Sequence, residues 1–175
     1  MTARERKHAL ARVSLLAFVL ASVIVSTAAP ANNPKVELDA KAAQPRQIED
    51  TTELAIVRDY SVAWKALTTA MSENRSEALD AGFVGVARDN FAKAIEGQKK
   101  AGLRRRYTDR GHKLKAIFYS PEGSAMQLRD SAQYDLEILD GDAVIHREQI
   151  SEPYLVLMTV AEGSWKVRSL QALPK

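Results

Sequence analysis

Cysteine is absent from this chain, and histidine occurs only at positions 8, 112 and 146. No disulfide, thiolate nucleophile, cysteine-ligated zinc or lipid-modified cysteine can form, and a histidine-rich metal site lacks ligands. No glycine-rich phosphate loop, His-Glu-x-x-His helix or serine elbow occurs. Neither a metal nor an organic cofactor is therefore expected. Aromatic residues make up 6% of the chain, which leaves few stacking platforms for a single-stranded nucleic acid. Apolar residues still reach 46%, enough for a packed core and too many for a disordered chain.

Long uncharged runs are scarce as well, with one exception. Val13–Val25 carries no charge, follows the basic head Arg4, Arg6, Lys7 and Arg12, and precedes the small residues Ser26-Thr27-Ala28-Ala29-Pro30-Ala31. Residues 1–31 read as a secretory signal peptide cleaved after Ala28 or Ala31. Counted from Val13 to Ala31, the same stretch is 19 uncharged residues, long enough for an uncleaved membrane anchor, a transmembrane helix with its basic head in the cytoplasm. Both readings place the body in the cell envelope outside the cytoplasm, periplasmic or secreted if cleaved and anchored by a single pass otherwise. The net charge of +3 is carried by the first dozen residues, so the remainder is neutral and the pI near 9.2 does not argue for nucleic acid.

Residues 32–47 hold two prolines and no sustained apolar period, and read as a flexible linker. From residue 48 the pattern turns helical. Leu54, Val57, Tyr60, Trp64, Leu67 and Met71 recur at spacings of three and four, with Asp50, Thr51 or Thr52 available as a cap. A short helix is expected over Glu77–Phe83 and a third over Val86–Ala101, closed by Gly102. The period then changes to two. Leu114–Tyr119 is a strand closed by Ser120-Pro121-Glu122-Gly123-Ser124. Met126, Leu128, Ala132, Tyr134, Leu136 and Ile138 share one face of the next strand, interrupted only by Asp130. Asp140-Gly141-Asp142 turns the chain, Tyr154–Ala161 is apolar on both faces, and Glu162-Gly163-Ser164 leads into a closing strand. Early helices and a later strand meander make residues 48–175 an α+β domain, with helices on one face of an antiparallel sheet.

Trp64 on the first helix and the final Glu162-Gly163-Ser164-Trp165-Lys166-Val167 turn and strand resemble the NTF2-like superfamily. The order of helices before meander, behind an apolar N-terminal segment, is most similar to its envelope-facing branches. These are the VirB8-like, Tim44-like and Mce-associated proteins, with the related domain of chloroplast-division proteins. The resemblance spans about residues 50–172 and implies a cone in which a curved sheet wraps the helices. It also implies a mainly non-catalytic role in binding partners or lipid. Enzymatic members hold acid and base residues in the cone, but no catalytic motif of theirs matches here.

Asp130 is the residue most out of place. A carboxylate on an apolar strand face is costly to bury and makes a cavity acid or base, unless a bulge turns it to solvent. Tyr134 on the same face, with Tyr60 and Trp64 from the first helix, would line such a cavity or simply fill the core. The densest charge is Lys99, Lys100, Arg104, Arg105, Arg106, Arg110, Lys113 and Lys115, against Asp109 alone. This run fits a protein partner or an anionic membrane surface, at roughly 1 kcal/mol per well-placed base, or else a solvated helix-to-strand loop paired with the body's own acids. His112, within it, is expected to be exposed. His146 can pair with Glu148. The leading expectation is a non-enzymatic envelope domain that binds a protein or lipid surface, with no nucleic-acid partner. The alternatives are a cavity protein that binds or isomerises a small apolar molecule, and a structural subunit that forms a homodimer through its sheet.

Overall fold

The computed structural model describes residues 35–174. The expected signal or anchor lies outside them. Among the described residues no helix is long and apolar enough to cross a membrane. The elements run β1 (Val36–Asp39), α1 (Asp50–Glu73), a 3-10 helix (Ser76–Ala81), α2 (Gly85–Lys100), β2 (Leu103–Tyr119), β3 (Ala125–Asp140), β4 (Ala143–Ala161) and β5 (Ser164–Ala172). The strands form one sheet in the order β1-β2-β3-β4-β5. The four long strands are a simple antiparallel meander, as the turn signals require, and the helices pack against one face.

Two expectations are corrected here. Residues 35–47 are not a free tether. β1 pairs in parallel with β2 from Val36↔His112 to Asp39↔Lys115, which makes the sheet mixed. Ala43 is buried, Tyr119 N–H donates to Gln44 O at 3.0 Å, and Arg46 sits over the Tyr119 ring. The segment's own burial is small, but it satisfies the backbone edge of a strand more than seventy residues away in sequence, which no local composition reveals. The basic run is likewise not a loop. β2 begins at Leu103, and its charged half alternates like a strand with polar residues outward.

Trp64, Tyr60, Leu67 and Met71 face inward along α1 as the period predicts, joined by Ile56, Ala63 and Ala70. Leu54 does not join them, being 71% exposed near the helix start. Glu49 occupies the N-cap position without a side-chain cap, and Asn74 closes α1 in the left-handed conformation, its amide donating to Leu103 O. The short second helix is a 3-10 turn because the chain must press against α1. A Cβ on Gly82 would lie 2.3 Å from the Ala63 Cα. Trp165 and Trp64 are both buried, and the Trp165 N–H donates to the α1 carboxylate Asp59 at 2.8 Å, tying the last strand to the first helix.

A polar cluster sealed inside the cone, and two candidate surfaces

β3 carries Asp130 inward without distortion. Its register is continuous through Leu114↔Asp130 and Asp130↔Tyr154, so no bulge turns the carboxylate out. The bulge lies instead on β2, where Arg110 is the extra residue between Asp109 and Gly111. Gly111 has φ of 144°, and a Cβ there would meet Lys35 O at 3.2 Å, so the kink depends on glycine.

The structure brings Asp130, Tyr60, Trp64 and Tyr134 together, as their shared faces suggest, and adds His112. The Tyr60 hydroxyl donates to Asp130 Oδ2 at 2.7 Å, and His112 Nδ1 lies 2.8 Å from the same oxygen. The Asp109 carboxylate stands 3.2 Å from His112 Nε2, although that oxygen already accepts the Gly111 N–H and no aligned hydrogen bond forms. The Trp64 ring covers the imidazole at 4.3 Å between centroids, and Tyr60 meets it edge-on. Tyr134 and Tyr154 join hydroxyl to hydroxyl at 2.8 Å beside Trp64. The side chains of His112 and Asp130 have 0% exposure.

Burial alone would lower the His112 pKa, but the Asp109 and Asp130 carboxylates reverse the shift and raise it to about 9. The ring is therefore a cation at neutral pH, balanced by Asp130 and set at a tilt against an indole. Desolvation, and after it the Asp130 charge, holds the Tyr60 hydroxyl protonated well above its ordinary range. Chemically the cluster is a carboxylate with two hydrogen-bonded neighbours. Among the described residues, Asp130 Oδ1 and His112 Nε2 have no hydrogen-bond partner.

His112 is the residue that sequence reasoning missed. The basic residues around it suggested solvent. The signal was the strand period itself, since counting back by two from Ala116 and Leu114 places His112 on the buried face.

The basic run is divided by the strand. Arg104 pairs with Asp142 at 3.1 Å, Arg106 with Glu137 at 2.6 Å, and Arg110 with Asp135. Glu137 is also held by Arg147 at 2.6 Å. Arg105 is half-buried, whereas Lys99, Lys100, Lys113 and Lys115 are exposed. The eight cations therefore do not form one uninterrupted patch. His146 and Glu148 do approach, to 3.5 Å, as an exposed pair. Two surface depressions of about 150 and 510 Å³ flank Arg110 and Gln133; His112 lies in the wall of the smaller and Tyr134 in that of the larger, while Asp130, Tyr60 and Trp64 line neither.

No family model and no curated protein matches the chain. Solved structures do. The intermembrane-space region of the chloroplast protein ARC6 superposes on 75% of this chain and 100% of its own, with a TM-score of 0.62 and 15% identity. ActVI-ORFA from Streptomyces coelicolor covers 69% of this chain and 95% of its own, with a TM-score of 0.48 and 12% identity. The likeness to the ARC6 region is one of fold, helices followed by a five-strand mixed sheet that does not close, and it agrees with the NTF2-like cone expected from the sequence.

Proposed function

We propose that this chain is an extracytoplasmic, non-enzymatic binding domain that works through its surface, against a protein partner or a lipid surface. One observation carries the reading. Among the described residues, the group in the cone best suited to acid–base chemistry, Asp130 with His112 and Tyr60, is enclosed by the protein's own aromatic rings. A buried pair so enclosed holds strands and helix in register, and leaves the outer strand residues as the parts that meet other molecules. The uncharged run Val13–Val25 supports the location.

A photo-crosslinking residue at Gln127, on the outer face of β3, should give adducts in intact cells, and the same residue at Tyr134 should give none. A reporter active only outside the cytoplasm, fused after Lys175, should score positive. Adducts from Tyr134 alone, or a cytoplasmic reporter, would overturn the reading.

The second reading, a cavity protein for a small apolar molecule, draws on the unpartnered Asp130 Oδ1 and His112 Nε2. A ligand reaching either atom would supply the partner it lacks. It predicts a compound that raises the melting temperature of the wild-type chain and not of Tyr60→Phe.

A further inference from the structure

The Tyr154–Ala161 half of β4 is apolar toward both sides, yet among the described residues only its inner side is covered. Register places its outward residues in rows across the sheet. Phe118, Gln127 and Leu157 form one row, Lys115, Arg129 and Leu155 the next, and Lys113, Ser131 and Pro153 the third. Phe118 is 38% exposed, Leu155, Leu157 and Pro153 are half-buried, and the three cations are exposed.

Lys115 and Arg129 stand directly opposite each other on neighbouring strands, an arrangement of like charges that costs stability. Among the described residues neither has a hydrogen bond or ion pair. The nearest acids by register are Glu37 and Asp39 on β1. Glu37 is held by Lys35, and Asp39 accepts the Lys41 backbone N–H. The other end of the same face is built in the opposite way, with Arg106, Glu137 and Arg147 interleaved. Lys113 faces Glu37, but Lys115 and Arg129 are thus left without an ion pair beside outward apolar side chains.

We infer that this end of the outer sheet face, Lys113, Lys115 and Arg129 with Phe118, Leu155 and Leu157, docks on an anionic lipid surface. The inference rests on the surface-binding reading above and commits it to lipid. Charge complementarity selects an anionic occupant. A second copy laid face to face, with the two-fold axis through this patch, sets these cations against their own counterparts. Connectivity selects a membrane: ten residues, 26–35, separate the apolar run Val13–Val25 from β1. Ten residues reach at most about 35 Å, and β1 borders the patch. In the anchored reading of that run, the body stays within a short distance of the bilayer, where headgroup charge and the acyl boundary meet cationic and apolar side chains together.

The absence of native cysteine makes the test direct. Gln127→Cys, and Asp89→Cys on the exposed side of α2 as reference, are each labelled with an environment-sensitive fluorophore in the full chain. The labelled protein is reconstituted in vesicles of zwitterionic lipid, with or without anionic phosphatidylglycerol, and quenching by nitroxide-bearing lipid is read. The inference expects quenching at 127 and not at 89, in anionic vesicles only, and its loss at high salt. Lys113→Gln, Lys115→Gln and Arg129→Gln should each lower the docked-to-undocked ratio roughly fivefold, with circular dichroism unchanged. Equal quenching at both positions, quenching that persists in zwitterionic vesicles, or none at 127 would overturn it. No quenching at 127 together with protein adducts from the crosslinker there would overturn the lipid assignment and leave the binding-domain reading standing.

Discussion

The sheet pairs carboxylate with base on both of its faces, at nearly the same distance and with opposite consequences. Inside, His112 meets Asp130 at 2.8 Å with neither side chain exposed. Outside, Glu137 is gripped by Arg106 and Arg147, both at 2.6 Å, with the arginines half or more exposed. Water screens the outer lattice and can replace either partner, so its arginines hold little of the fold. The inner pair has no such substitute. Removing one member strands the other charge in a dry interior. Burial, and not contact distance, decides which pair the fold depends on.

The largest effect should come from breaking the inner pair. Asp130→Ala should cost about 3–5 kcal/mol in urea denaturation, because it leaves a buried imidazolium uncompensated. Asp130→Asn should recover part of this, keeping the Tyr60 hydrogen bond while losing the charge. Glu137→Gln on the outer lattice should leave the denaturation midpoint almost unmoved. Equal losses at the two positions would erase the contrast.

The second effect is a pH dependence. The His112 pKa rises from 6.5 unfolded to about 9 folded. A raised folded value means the folded state binds the proton more tightly. The stabilisation is thus fully present below about pH 6.5 and lost as pH rises through about 9, roughly 3 kcal/mol in all. Urea midpoints of wild type measured from pH 6 to 10 should fall across that window, and those of His112→Gln should not follow.

A smaller effect is steric. Gly82→Ala drives a Cβ into the α1 backbone at Ala63 and should cost about 1–3 kcal/mol by thermal denaturation. Smallest of all, Arg104→Gln, Arg105→Gln and Arg106→Gln together should leave the melting temperature nearly unchanged, since the ion pairs of Arg104 and Arg106 lie at the surface and Arg105 is only half-buried. A large loss would show that the outer lattice holds the fold after all.

The interior was more legible in the sequence than the surface, for physical reasons. Burial writes a periodic signal, so the inward stripe of α1 and the alternation of β3 could be read, and Asp130 stood out as its single exception. The partner of that exception was hidden because His112 sits among cations whose charge suggests solvent, although the strand period counted from Leu114 places it inward. β1 was invisible for another reason. Four residues with alternating burial carry almost no local signal, and their pairing depends on a strand far along the chain. The division of the basic run was equally hidden, since Arg106 meets Glu137 and Arg110 meets Asp135 only through cross-strand register.

The central claim is that the polar cluster is a charged, closed lock beneath Trp64. Nitrogen-detected NMR of the His112 ring tests it most directly. The account predicts a ring protonated at both nitrogens at pH 7, titrating near pH 9, with the Nδ1 proton exchanging slowly with solvent. A ring that is neutral at pH 7, or whose Nδ1 proton exchanges as fast as that of exposed His146, would contradict it.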